Sequence, residues 1–468
     1  MKIIIAEAIG FKEVNEKQLL HARRLDQSNE KYIKIIDLFK KKEISFFYEL
    51  GIMLNHYINK DKPLVFVTDW TDPTEMVGLL LEDGKDDIVY PDLGFLAFYT
   101  DWNDLENSGI EKIFSHEFSH LWLYNLGYDF ELSPSNKFHT ITAITDPFMA
   151  FSEGFAEHLE IVSSDLSHHQ ENNLPFDSGF DIESWLSYRD SALRMHAVKN
   201  NRFIYLTAHP KIDTYKTYAE LHMAHITSSC FTPEHIKNGS QMMASEGVIA
   251  SFFYYFYKDE FFKNQYQDEL FYQPFGTQKA ALDAISNHYL KILFALSKID
   301  LTKETLMVDF VMTYANAFPN EKEKIFELFL RITHFATVDE AYISKFENLY
   351  LTGKQGNPDA FKEALMSVRT FRKETLSKII ENPEMLKNGL YQSIWITTNQ
   401  YIKPVPWDDK MSVYKIDINT ATAIDLLALP HMDILTAEKG VSLRKSLKGF
   451  ESLDQFINFI STDKNLNV

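Results

Sequence analysis

The sequence predicts a mainly α-helical chain with a small β-sheet near its N-terminus and a separate, all-α C-terminal domain. Three observations carry this. Apolar residues recur at three and four spacing over most of the stretch from Ser108 to Gln400, the period of an amphipathic helix. Short apolar runs cut by turn-forming dipeptides cluster between Pro63 and Trp102, as strands do. Two prolines and a charge cluster in "TTNQYIKPVPWDDK" then break the helical pattern and mark a linker before the last segment.

Taken in order, the chain up to Lys60 reads as helical, since "EKQLLHARRLDQ" and "YIKIIDLFKKKEISFFYELGIML" carry apolar residues at three and four spacing. "PLVFVTDW" (Pro63 to Trp70), "MVGLLLED" (Met76 to Asp83), "DIVY" and "GFLAFYTDW" (Gly94 to Trp102) follow as strands of a sheet with hairpin connections. The organisation is therefore 1-103 as N-terminal helices and small sheet, 104-400 as a mainly helical domain, and 411-468 as the C-terminal domain.

A net charge of −19 repels phosphate backbones and anionic lipid, which makes nucleic acid a poor partner and gives no reason to expect a membrane. The single cysteine, Cys230, rules out an internal disulfide and reads as a small apolar residue in a reducing compartment. "MKIIIAEAIGFKEVNEK" places one Lys ahead of a short apolar run broken by Glu7, too little for a signal-peptide core or a membrane span. A cytoplasmic protein is expected.

The chemistry concentrates in "SHEFSHLWLYNLG", Ser115 to Gly127. Ser108 and Glu111 have the spacing of a capping box and Gly127 sits where a C-cap glycine belongs, so a helix runs from about Gly109 to Leu126. Residues four apart share a helix face, so His116 and His120 can turn their imidazoles to one ion, while Glu117 is rotated by about 100° and can reach a water on that ion. Such a site needs a third protein ligand. "TDPFMAFSEGFAEHLEIV" opens a second helix with Asp146 as N-cap and Pro147 at its first position, and this helix carries Glu153 and Glu157 on one face. Gly154 costs a helix about 1 kcal/mol against Ala, which is explained by close approach of a neighbour, expected to be the histidine helix.

"HEFSH" followed by "SEGFAEH" resembles the gluzincin metallopeptidases of the thermolysin and aminopeptidase type, over the stretch from Glu111 to Glu160. The resemblance implies an α+β catalytic core with Zn2+ as cofactor, His116, His120 and Glu153 as ligands, and Glu117 as the general base. It gives Glu157 a supporting role, a carboxylate that orients a zinc histidine. The glutamate that aminopeptidases of this kind carry on the strand before the zinc helix is missing from "GFLAF", Gly94 to Phe98. That strand can instead serve as an edge for an extended substrate, which favours an endopeptidase.

Glu246, in "MMASEGVIASFFYYFY", echoes the ligand segment and is the alternative third ligand. His222, His225, Tyr254 and Tyr255 are candidates for stabilising an oxyanion, with core packing as the plainer role of each.

The C-terminal stretch from Ile416 to Ile460 resembles the helix-hairpin-helix domain of competence-type DNA-binding proteins, in "DINTATAIDLLALP" and "GFESLDQF". Where that family has Gly-x-Gly to cradle a phosphate, this chain has His431, Met432 and Asp433. Six basic against seven acidic side chains from Met411 to Val468 leave no cationic footprint, so a protein-docking or structural role is expected for this domain ahead of DNA binding. The expected activity is zinc-dependent cleavage of a peptide or protein substrate. The competing expectation is an inactive zinc-containing scaffold whose C-terminal domain binds a protein or nucleic acid.

Overall fold

The computed structural model describes residues 3–58, 62–70, 74–84, 86–98, 110–135, 139–167, 182–206, 236–402 and 411–463. Among these, helix dominates and the N-terminal sheet is small. Two compact units are present: Met1–Asp129 with Phe155–Asn172 and Tyr257–Leu301, and Phe130–Gly154 with Asn173–Phe256 and Thr302–Val468.

The first elements correct the helical reading of the first sixty residues, which fails over residues 3–24. Strands β1 (Ile3–Val14) and β2 (Lys17–Arg24) form an antiparallel hairpin with Val14 opposite Lys17. Asn15 and Glu16 join them with φ of 51° and 65°, the pair of left-handed residues that matches strand twist in a two-residue loop. Leu19, Leu20 and Ala22 are all buried. A strand covered on both faces yields clustered apolar residues, and such clusters imitate a helical stripe.

Helices α1 (Glu30–Leu38) and α2 (Lys42–Tyr57) follow, then β3 (Leu64–Thr68), β4 (Thr74–Asp83) and β5 (Asp86–Ala97). "DIVY" and the first part of "GFLAFYTDW" are one strand; Tyr99 to Trp102 lie outside the described residues. The strands close into a barrel in the order β1-β2-β4-β5-β3. Only β1–β2 and β4–β5 are hairpins, and β1–β3, β2–β4 and β3–β5 pair in parallel. Parallel pairing needs a crossover, and α1 and α2, which follow β2 in the chain, lie in the one that leads from β1 to β3. Alternate residues fill the barrel, Ile4 and Ala6, Leu20 and Ala22, Val65 and Val67, with the period of two that a pleated strand imposes.

The supposed substrate edge is also corrected. Leu96 and Ala97 of β5 pair with β4 on one side and with Phe66 and Val67 of β3 on the other, and Phe98 N–H donates to the Val67 carbonyl at 3.0 Å. From Leu96 to Phe98 the strand therefore has no free edge.

In the second unit, Phe252, Phe253, Phe256, Phe310 and Tyr314 meet ring against ring in a buried helical core. Near its C-terminus β6 (Trp395–Ile402) and β7 (Ser412–Asp417) pair antiparallel, ahead of helices Ala423–Leu426, Ile434–Leu447 and Leu453–Asp463. The last segment is thus not all-α. Buried Tyr414 and Ile416 alternate with exposed Lys415 in β7, and the last part of the linker stretch, 403–410, lies outside the described residues.

Candidate metal centre

Helix α3 (Ile110–Leu126) carries the two histidines. Its C-terminus closes as expected: Tyr128 N–H donates to the Leu123 carbonyl and Gly127 N–H to the Tyr124 carbonyl, both at 2.9 Å, with Gly127 at φ 102°. Ser108 lies outside the described residues. One side of α3 packs on α2, where a Cβ on Gly51 would meet the Phe118 ring at 2.7 Å, and another on β5, where one on Gly94 would meet Tyr124 at 2.7 Å. Glycines at both contacts let the backbones approach closely, which fixes the helix on two sides.

Helix α4 (Pro147–Ser167) brings the carboxylates. Asp146 caps it: Oδ1 accepts from Phe148 N–H at 3.0 Å and Met149 N–H at 2.9 Å. Its other oxygen, Oδ2, accepts from Ser133 Oγ at 2.5 Å and Ser135 Oγ at 2.7 Å, so the incoming loop is tied to the helix start. Gly154 is a close-approach position, but its neighbour is not α3. A Cβ there would stand 2.6 Å from the Glu246 carbonyl oxygen and 2.6 Å from Ile249, both in the helix Glu246–Lys258.

His116, His120 and Glu153 come together, with one ligand atom of each within 4.8 Å of the others, and the group can hold a metal ion. The two imidazole centroids are 5.0 Å apart at 74°. His120 is buried, while His116 and Glu153 are partly open. Glu117 follows His116 on α3 and is also partly open.

A second group, His116, Glu157 and Glu160, meets the same distance criterion. Within it His116 Nδ1 lies 2.8 Å from Glu160 Oε1. Glu157 thus lies near the histidine, and Glu160, which is absent from the sequence-based set, is hydrogen-bonded to its ring. The signal was present: Glu153, Glu157 and Glu160 are spaced four and three apart and share one face of α4. His158 between them turns the other way. Burial pulls its imidazole down to about 3, and the neutral ring meets Tyr289 Oη at 3.0 Å.

The remaining candidates separate. Glu246 belongs to neither metal group among the described residues; its Oε2 is 3.8 Å from His139 Nδ1. Tyr255 donates its hydroxyl to the Lys199 carbonyl at 2.8 Å, and Tyr254 is buried. His222, His225 and Cys230 lie outside the described residues. Comparison of the chain with protein-family models, with curated proteins and with solved structures found no match in any of them.

Proposed function

We propose that the chain is a zinc-dependent peptidase of gluzincin type, acting in the cytoplasm. The observation that supports this most is the meeting of His116, His120 and Glu153, three donors from two helices, within 4.8 Å. Two imidazoles and a carboxylate are a donor set that zinc takes in hydrolytic sites, with a coordination position left for water. Zinc held there supplies Lewis acidity that makes water easier to deprotonate near neutral pH and that polarises a carbonyl. Glu117 takes the proton from the attacking water and passes it to the leaving amine. Glu160 Oε1 stands 2.8 Å from Nδ1 of His116, a contact that would orient the ring toward a bound ion. An endopeptidase loses the support of a free strand edge over Leu96 to Phe98 and keeps that of the glutamate missing from Gly94 to Phe98.

The C-terminal segment is proposed to dock a protein and not DNA. Asp433 uses its Oδ1 to cap the helix Ile434–Leu447 through Thr436 N–H at 2.8 Å, where a phosphate would have to sit, and the adjacent Leu435 is 67% exposed.

Hydrolysis of an unstructured protein such as casein by metal-loaded protein tests the activity. Glu117→Gln is expected to lower the rate by at least about a hundredfold with zinc still bound. Equal rates for parent and variant would remove the hydrolytic reading and favour the scaffold.

A further inference from the structure

Glu246 stays outside the metal group, yet it is no ordinary surface acid. Its side chain is 5% exposed, and among the described residues its Oε2 accepts no hydrogen bond. His139 Nδ1 stands 3.8 Å from that oxygen, within reach of an ion pair but too far for a hydrogen bond. A carboxylate oxygen left bare in a dry place is costly, and folded proteins keep one where a ligand, an ion or water completes it. Glu246 is also held beside the ligand segment. Its carbonyl occupies the space that a Gly154 side chain would need, and Gly154 directly follows Glu153. The pair has a part-open edge, since the His139 side chain is 25% exposed.

We infer that Glu246 anchors a cationic group of the bound peptide, either a free amino terminus or a basic side chain, a step that rests on the peptidase reading and narrows its substrate class. The incoming N–H donors complete Oε2 with charge-assisted hydrogen bonds. A neutral group at the same place leaves the carboxylate bare, and sites built this way discriminate strongly against such analogues.

Binding to the zinc-loaded full chain carrying Glu117→Gln, which blocks turnover, tests this with three probes. They are an alanine pentapeptide with a free amino terminus, its N-acetyl form, and the N-acetyl form with one Lys. At least one cationic probe is expected to bind about tenfold or more tighter than the neutral one, and the probe that does so identifies the source of the cation. Adding Glu246→Gln should abolish that margin and leave the neutral probe within about twofold. Should Glu246→Gln fail to fold, His139→Arg sets a fixed cation beside the carboxylate and should abolish the same margin. Equal binding of all three probes, binding of none, or a margin that survives the substitutions overturns the inference. A chain that prefers cationic probes but cleaves nothing keeps this inference and loses the hydrolytic reading; one that cleaves all three alike does the reverse.

Discussion

Single side chains decide whether two helices can present one ligand set. Gly154 shows how: with no Cβ, α4 accepts the Glu246 carbonyl against its backbone one residue beyond Glu153 of the candidate metal group. Gly154→Ala gains about 1 kcal/mol of helix propensity but must displace a main-chain oxygen and Ile249, an overpacking cost of about 1–3 kcal/mol or more. Net destabilisation is expected, read as a lower urea midpoint at unchanged slope; equal or higher stability contradicts the contact. The sequence made the need for a small residue legible, because glycine inside a helix demands a reason. It did not name the neighbour, since a contact between residues 154 and 246 leaves no local pattern. Glu160 was legible in principle from its place on the Glu153 face, and was overlooked because the reading stopped at the expected spacing of four.

Helices and strands differed in how far pattern alone could define them. α3 and α4 are bounded by signals local to the chain, the Gly127 closure and the Asp146–Pro147 start, and both lie where spacing and caps put them. β1 and β2 were hidden because consecutive buried residues, Ile4 to Ala6 and Leu19 with Leu20, break the alternation, and the closed barrel depends on parallel pairings set by remote segments. β7 does carry alternation, with Tyr414 and Ile416 buried about exposed Lys415, but over only six residues ahead of the helical motif that follows.

Asp417, the last residue of β7, gives that element a pH signature. Burial lifts its carboxyl from 3.8 to about 6, although it accepts N–H donors from Ile394 at 2.8 Å and Asn419 at 3.0 Å. The folded chain thus binds the proton more tightly than the unfolded one. Stability from this group is full below pH 3.8 and is lost as pH rises through about 6, on the order of 3 kcal/mol in all. Asp417→Asn can accept the same two donors without a charge. Its stability relative to the parent should rise between pH 4 and pH 7.5 in urea denaturation; a difference independent of pH contradicts the buried, proton-favouring site.

Over the whole chain, the charge of −19 argues against polyanionic partners, and among the described residues no helix is long and apolar enough to cross a membrane. The proposed chemistry rests on the meeting of His116 and His120 with Glu153, thirty-odd residues further along the chain. Metal binding measures that convergence without assuming a substrate. Zinc content by atomic emission, with affinity by chelator competition, should give one zinc per chain in the parent and in Glu246→Gln. His120→Gln and Glu153→Gln should bind at least about a hundredfold more weakly. A parent that holds no zinc, or a Glu153→Gln variant that holds it as tightly as the parent, would contradict the metal centre and the peptidase built on it.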